Sequence, residues 1–254
     1  MTQTPEPPTA TDPDPADASA VIDPPRPVAL VTGGTRGIGA AIARSLAPDH
    51  RVLIGGRDAR AAAALATELP DAEPFVVDLN DARATAEAVD TCAALADGLD
   101  VLVHSAGVYN VQPVTEATRE DWRQVLETNL VAVADLTRLL LPALRLRKGM
   151  VVAINSGAGM TPGPRGILYS TSKYALRGWT ESLREECRGD IRVTGIFPGK
   201  VDTDMQREVQ ASRGNDYRPE LYLQPEAVAA AVRTAVDTPP NGVIDSLIIR
   251  PVSR

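Results

Sequence analysis

Short apolar runs alternate with longer amphipathic stretches from Val28 to the end of the chain. The runs are rich in Val, Ile and Leu, which is typical of strands buried on both faces of a parallel sheet. Predicted strands cover 28–31, 51–54, 74–77, 99–103, 150–154, 191–197 and 243–249. Predicted helices cover 37–47, 58–69, 81–97, 118–147, 167–188 and 225–237. This alternation predicts an α/β fold with a doubly wound parallel sheet of about seven strands, which binds ligands at the carboxyl ends of its strands.

Two segments depart from the alternation. Residues 1–26 contain many prolines, five acids and one base, and have no apolar periodicity, so we predict a disordered tail that is not a signal peptide. Within the folded part, Pro142 is expected to kink or end the long helix 118–147. The remaining residues, 27–254, form one predicted domain.

Composition excludes several classes of protein. The 254 residues carry a net charge of −7, of which −4 belongs to the predicted tail, so general nucleic-acid binding is not expected. No apolar run approaches the roughly 18 residues of a membrane span, and two cysteines cannot form a disulfide framework. We predict a cytoplasmic protein with no membrane or nucleic-acid partner.

A glycine-rich turn follows the first predicted strand, where residues 32–39 read Thr-Gly-Gly-Thr-Arg-Gly-Ile-Gly. Because glycine has no side chain, the backbone at Gly33, Gly37 and Gly39 can approach a pyrophosphate. The N-terminus of the following helix adds about half a positive charge. A tight turn without a ligand is the alternative interpretation. The position between the first strand and a helix favours a dinucleotide site.

The end of the second strand predicts which dinucleotide binds. An acid at this place binds the 2′-hydroxyl of NAD, but the strand ends in Gly55-Gly56-Arg57. Arg57 and Arg36 carry guanidinium groups that suit the 2′-phosphate of NADP. Asp58 is explained as the N-cap of the next helix. We predict NADP, with NAD less favoured.

Tyr169 and Lys173 lie four residues apart, on one face of a predicted helix. An ammonium group beside a phenol stabilises the phenolate, so Lys173 is expected to lower the pKa of Tyr169 from about 10. Such a tyrosine can protonate a carbonyl oxygen during reduction, or deprotonate an alcohol during oxidation. The pair alone is common on solvated helices, and its weight comes from the other motifs.

Residues 27–251 resemble the short-chain dehydrogenase/reductase family, whose motifs occur here in the family's order. They are the glycine turn 32–39, Asp78-Leu79, His104-Ser105-Ala106-Gly107, Asn129, Ser156, Tyr169 with Lys173, and Pro198-Gly199 with Thr203. The separation of Ser156 and Tyr169, 13 residues, is the one that the family uses. The resemblance implies a Rossmann-like domain and an NADP(H)-dependent oxidoreductase. Such an enzyme acts on CH–OH donors and transfers a hydride between nicotinamide and a carbonyl or secondary alcohol.

The resemblance also implies a role for each motif residue. Tyr169 would be the general acid/base, Lys173 would hold the nicotinamide ribose, Ser156 would orient the substrate carbonyl, and Asn129 would anchor a proton-relaying water. Cofactor contacts are expected from Gly33, Thr35, Arg36, Gly37, Ile38, Gly39, Arg57, Asp78, Leu79, Ser105, Ala106, Gly107, Tyr169, Lys173, Pro198, Gly199, Val201 and Thr203. Of these, Asp78 would contact the adenine amine and Thr203 the nicotinamide carboxamide. No metal site is expected.

His104 departs from the family, in which an asparagine frequently stands at this position. It either ties the central sheet together or lies near the nicotinamide, and the structural role is favoured.

The segment 200–224 is long for a connection and is expected to cover the substrate. Its arginines, Arg207, Arg213 and Arg218, either bind an anionic group or are solvated, and the nearby acids favour solvation. Residues 161–166 would form the other wall. The substrate is therefore predicted only as a carbonyl or secondary alcohol.

Two further functions stay open. One is a 3-oxoacyl thioester reductase of fatty acid or polyketide type, and the other is a non-catalytic dinucleotide sensor or scaffold. The helices 118–147 and 167–188 resemble faces that join family members into homodimers or homotetramers. Their apolar residues could equally pack on the sheet.

Overall fold

The computed structural model describes residues 26–252 except Arg213. The predicted disordered segment therefore lies outside the described residues, apart from Arg26.

A parallel sheet of seven strands forms the centre of the domain. The strands are β1 (Val28–Thr32), β2 (Arg51–Gly56), β3 (Ala72–Val76), β4 (Val101–His104), β5 (Met150–Ile154), β6 (Arg192–Pro198) and β7 (Ser246–Ile249). Their order across the sheet is β3-β2-β1-β4-β5-β6-β7. From β1, the chain adds β2 and β3 on one side of the sheet and then β4 to β7 on the other side. This reversal of the strand order between β1 and β4 confirms the predicted doubly wound fold.

Helices cover both faces of the sheet. They are α1 (Gly37–Leu46), α2 (Ala59–Glu68), α3 (Ala82–Thr91), α4 (Arg119–Leu126), α5 (Ala132–Arg147), α6 (Ile167–Glu186), α7 (Asp204–Ser212) and α8 (Pro225–Val236). No helix in this described part of the chain is long and apolar enough to cross a membrane.

Successive residues of the strands pack on opposite faces, which explains their continuous apolar sequences. In β1, Ala29 and Val31 join the core that includes α1 and α8. Val28 and Leu30 join the core that includes α5. Every residue of β1 is buried, because both faces of a strand are covered in this architecture.

The segment 200–224 contains a helix that the sequence did not predict. In α7, only Val209 and Gln210 are buried, so two turns of helix leave almost no apolar period to recognise. Its start carries a weak signal, since the Thr203 hydroxyl accepts a hydrogen bond from the Gln206 N–H at 3.3 Å.

The predicted helix 118–147 is continuous in space but has a local irregularity. Residues Glu127–Val131 form a π-helical turn between α4 and α5. The helix does not end at Pro142, which lies inside α5. Pro142 is exposed, so water can bind the carbonyl that loses its partner there.

Among the other bounds, the two largest differences from the prediction are a helix end and a strand start. The predicted helix 81–97 ends at Thr91 and is followed by a single 3-10 turn, Ala93–Leu95. The last strand begins at Ser246 rather than at 243, since β7 pairs only with the end of β6.

Candidate active site

The glycine turn brings three chain segments into backbone contact. Gly33 adopts a φ of +61°, and a Cβ placed there would lie 2.9 Å from the Ala106 Cα. A Cβ on Gly39 would lie 2.1 Å from the Gly33 carbonyl oxygen. The Thr32 hydroxyl accepts hydrogen bonds from the N–H groups of Ser105 and Ala106, both at 3.1 Å. Only glycine fits this packing, which sets the start of α1 directly above the end of β1.

The start of α1 leaves backbone donors available. Arg36 takes the N-cap position, and its side chain makes no capping hydrogen bond. Gly37 has a φ of +53°, and a Cβ there would lie 3.3 Å from the Thr203 methyl group. The turn therefore has the free N–H groups and the open backbone of an anion site at a helix N-terminus.

Arg36 and Arg57 both lie at the surface beside this turn. Arg36 reaches the Asp204 carboxylate at 3.5 Å and Arg57 the Asp78 carboxylate at 3.7 Å, with about three quarters of each arginine side chain exposed. These long, exposed ion pairs are weak. Asp58 caps α2 by accepting from the N–H groups of residues 60 and 61, as predicted.

Tyr169, Lys173 and Ser156 come together at the carboxyl end of β5. Tyr169 and Lys173 lie on α6, and Ser156 follows β5. The Ser156 hydroxyl lies close enough to the Tyr169 phenol to act on its pKa. The Lys173 Nζ lies 5.8 Å from the centre of the Tyr169 ring and donates to the Ile154 carbonyl at 3.0 Å.

The π-helical turn places Asn129 behind this group. Its side chain is buried and accepts from the Val108 N–H at 2.8 Å. Its amide donates to the Val108 carbonyl at 2.9 Å and to the Ser172 hydroxyl at 3.0 Å. The Asn129 Oδ1 keeps one lone pair beyond the Val108 bond. π-Helical turns of this kind are frequent at functional sites.

The pKa of Tyr169 differs from the expectation. Burial raises the pKa of Tyr169 to about 12, although the Ser156 hydroxyl acts in the opposite direction. Burial lowers the pKa of Lys173 to about 8. The prediction that Lys173 lowers the pKa of Tyr169 is therefore wrong for this structure, because removal of the phenol from water has the larger effect.

Two residues near the group were missed in the sequence. The Asn155 amide accepts from the Ser156 N–H at 2.8 Å and donates to the Lys173 carbonyl at 3.1 Å, so it fixes the Ser156 loop to α6. The Tyr109 ring lies 4.6 Å from the Tyr169 ring. The only signal for Asn155 was its place beside Ser156, and Tyr109 carried none.

His104 is buried between β4 and α5. Its Nε2 lies 2.8 Å from the Thr137 hydroxyl, which itself donates to the Val133 carbonyl, so the neutral ring carries its proton on Nε2. Burial lowers the pKa of His104 to about 3. The favoured structural interpretation fits this position, in which His104 ties β4 to α5.

A cavity of about 320 Å³ opens beside Tyr169 and Ser156. Its far wall includes Pro198, Gly199, Val201 and Thr203 after β6, and side chains of α7. The two expected walls, 161–166 and 200–224, thus both border the cavity.

Two arginines of the segment 200–224 bind neighbouring acids. Arg207 donates to the Asp202 carboxylate at 2.7 Å, and its guanidinium stacks 4.3 Å from the Tyr217 ring centre. Arg218 donates to Glu220 at 2.9 Å. Arg213 lies outside the described residues. The pairing of Arg207 and Arg218 with neighbouring acids therefore disfavours the alternative in which they bind an anionic group.

A family model described as short chain dehydrogenase matches residues 27–214. The chain belongs to the short-chain dehydrogenase/reductase family. Serine 3-dehydrogenase of Agrobacterium fabrum, a curated relative, is 32% identical over 237 residues and covers 89% of this chain and 94% of that protein. The 3-oxoacyl-acyl-carrier-protein reductase of Aquifex aeolicus is 33% identical over 217 residues and covers 81% and 88%, respectively.

Solved structures of the family agree with the fold. A metagenomic short-chain oxidoreductase in complex with NADP gives a TM-score of 0.77 at 30% identity and covers 90% of this chain and 98% of that chain. This family member is therefore an oxidoreductase with a Rossmann-like domain.

Proposed function

We propose that the protein is an NADPH-dependent carbonyl reductase that also works in reverse as an alcohol dehydrogenase. The main observation is that Tyr169 and Ser156 line one cavity, with the Lys173 Nζ 5.8 Å from the centre of the Tyr169 ring. A phenol and a serine hydroxyl facing one space can both contact the oxygen of a single carbonyl.

The residues at the glycine turn fit NADPH. The backbone of Gly33, Gly37 and the start of α1 would hold the pyrophosphate. Arg36 and Arg57 would bind the 2′-phosphate, because neither has a close ion pair to lose and β2 ends without an acid. The structural relative solved with NADP supports the same cofactor.

The other expected contacts lie along the same edge of the sheet. Asp78 would bind the adenine amine, Lys173 the nicotinamide ribose and Thr203 the carboxamide. When bound, NADPH supplies the hydride that reduces the carbonyl carbon.

Tyr169 would donate its phenolic proton to the carbonyl oxygen, so the substrate gains a hydride and a proton in total. The raised pKa of Tyr169, about 12, keeps this proton in place until the oxygen becomes basic. Ser156 would orient the carbonyl. Lys173 would stabilise the phenolate that remains, and a water on the free lone pair of Asn129 would return the proton from solvent.

Turnover against a panel of carbonyl compounds and alcohols tests the proposal. Steady-state rates are measured with NADPH and with NADH on aldehydes, ketones, L-serine and 3-oxoacyl thioesters. We expect turnover with a KM for NADPH far below that for NADH. Equal KM values would contradict the NADP assignment, and cofactor binding without turnover would favour the non-catalytic alternative.

The thioester reductase is the second candidate, supported by the Aquifex aeolicus relative. Exclusive turnover of 3-oxoacyl thioesters in the same panel would select it. The panel includes serine because the Agrobacterium fabrum relative is named for that compound.

We also propose a homodimer or homotetramer in the cytoplasm. Val133, Leu136 and Leu140 pack on the sheet, but Val131 and Tyr174 leave more than 40% of their surface exposed on the π-helical turn and α6. Light scattering of the purified protein tests the subunit number, and a monomeric mass contradicts the proposal.

A further inference from the structure

The charged residues that line the catalytic cavity and its adjoining groove are all cations. Among the described residues that line the cavity of about 320 Å³, Lys200 is the only charged one, and no carboxylate is present. An adjoining groove of about 600 Å³ shares Gly163, Gly166 and Ser170 with this cavity. Within residues 26–252 without Arg213, the only charged residue that lines the groove is Arg165. The domain around both is acidic, since residues 27–254 carry a net charge of −3.

Neither cation has a partner in the described part of the protein. Lys200 and Arg165 make no side-chain hydrogen bond, ion pair or ring contact there, and both side chains are exposed. The acid nearest to Lys200 along the chain, Asp202, is already bound by Arg207 and Tyr217. The two cations therefore retain their charge for a ligand.

The backbone holds both residues in fixed positions. The Lys200 carbonyl accepts from the Leu223 N–H at 2.9 Å, and Gly199 donates to the Ile249 carbonyl at 2.7 Å. Arg165 adopts a φ of +59°, a left-handed conformation that is costly for a residue with a side chain. Strained backbone of this kind persists where the surrounding structure enforces it, and it clusters at functional sites.

We propose that the substrate carries a carboxylate, which Lys200 binds in the catalytic cavity while Arg165 attracts it from the adjoining groove. This inference rests on the carbonyl reductase function proposed above and names its substrate class. A carboxylate matches two unpaired cations in a space without acids, whereas a cationic or neutral substrate would leave both unmatched.

Matched pairs of substrates test the proposal. The probes are 3-oxobutanoate and 4-oxopentanoate, each compared with its neutral methyl ester, in the presence of NADPH. The wild-type enzyme should have the higher kcat/KM for the acid of each pair. Lys200→Gln should lower kcat/KM for the acids about fivefold, mostly through KM, and leave the esters within about twofold.

Arg165→Gln should have a smaller effect, confined to the acids and removed by added salt, because it acts through long-range attraction. Lys148→Gln is the matched control. Lys148 also lacks a side-chain partner in the described residues, but it follows α5 at the opposite edge of the sheet. Lys148→Gln should leave kcat/KM unchanged for both the acids and the esters.

Binding supplies a readout that does not need turnover. Calorimetry on the NADP⁺-loaded protein should detect butanoate more tightly than butanamide, and Lys200→Gln should abolish that difference. Equal effects of Lys200→Gln on acids and esters, together with equal binding of the two probes, would overturn the inference and leave the reductase function intact. A raised KM for NADPH in Lys200→Gln, with the acid preference unchanged, would also overturn it, since Lys200 would then bind the cofactor. Failure of every carbonyl compound to turn over, with the butanoate preference retained, would contradict the reductase function instead.

Discussion

Charged residues are paired differently at the two edges of the sheet, which are formed by the amino ends of its strands (the amino edge) and by their carboxyl ends (the carboxyl edge). At the amino edge, Arg233 donates to both carboxylate oxygens of Asp49 and also binds Asp237. Asp100 accepts from the Val28 N–H at 2.8 Å and lies 3.5 Å from the Arg147 guanidinium. These contacts tie the beginnings of strands to the ends of helices.

At the carboxyl edge, the cations beside the glycine turn and the cavity are weakly paired or unpaired, although Arg207 binds Asp202 at 2.7 Å. Arg36 and Arg57 have partners at 3.5 and 3.7 Å, and Lys200 and Arg165 have none among the described residues. The half-buried Tyr169 and the buried Lys173 have pKa values displaced by removal of their charged forms from water. The ion pairs of the amino edge thus stabilise the fold, whereas the carboxyl edge keeps several of its cations available for ligands and proton transfer.

The largest effect is expected at the carboxyl edge from Tyr169→Phe. Removal of the phenolic oxygen should lower kcat about a thousandfold, because proton transfer loses its donor. Phenylalanine fills the same space, so the melting temperature and NADPH binding should hardly change. Full activity of the variant on a confirmed substrate would falsify the assigned role.

Arg57→Asp should weaken the binding of NADPH at the carboxyl edge. The loss of a charge-assisted contact of about 2 kcal/mol should raise the KM for NADPH roughly thirtyfold and narrow or reverse the preference over NADH. Steady-state kinetics with both cofactors measure this, and Lys148→Gln serves as the distant control. An unchanged KM ratio would show that Arg57 does not bind the 2′-phosphate.

The pH dependence of reduction should report Lys173. Its pKa of about 8 means that the ammonium is charged below this pH and loses its charge above it. Tyr169, with a pKa of about 12, stays protonated throughout. Carbonyl reduction should therefore fall above pH 8, by about tenfold at pH 9.

The variant Lys173→Arg tests whether deprotonation of Lys173 causes the fall in activity above pH 8. Because arginine stays protonated, the residual activity of the variant should no longer fall near pH 8. A fall at the same pH in both proteins would assign it to another group.

The smallest effect is expected at the amino edge. Arg233→Ala should lower the free energy of unfolding by about 1 kcal/mol, or about 2–4 °C in melting temperature, with kcat unchanged. Arg233 holds the pKa of Asp49 well below its usual range. Its contribution is therefore present above the unfolded carboxyl pKa of about 4 and is lost as the pH falls further.

Thermal unfolding at pH 7 and pH 3 checks this sign. The difference between the wild type and Arg233→Ala should be larger at pH 7, and Asp49→Asn should behave in the same way. A loss of turnover in either variant would mean that the two edges are coupled.

The sequence predicted the elements whose pattern is local. Buried strands such as β5 read as unbroken apolar runs, and Asp58 reads as a helix cap. The sequence missed α7, because its two buried residues show no period. It left open whether Pro142 would kink or end the long helix, and the structure shows that the helix continues through Pro142.

The candidate site also combines features that the sequence predicts with features that it does not. The order and spacing of Ser156, Tyr169 and Lys173 are visible in the chain, since each follows a strand or lies one helical turn from the next. The pKa of Tyr169 is not visible, because it depends on how far the surrounding segments remove the phenol from water.

The sequence by itself determined the family, the doubly wound parallel sheet and the motif residues at the carboxyl edge, because apolar period, glycine turns and motif spacing are properties of neighbouring residues. Only the tertiary structure decided which charges remain unpaired. Arg207 and Arg218 are bound by acids of their own segment, whereas Lys200 and Arg165, which the sequence did not distinguish, have no partner in the described residues. Pairing depends on distances between side chains across the fold, and those distances are set by packing.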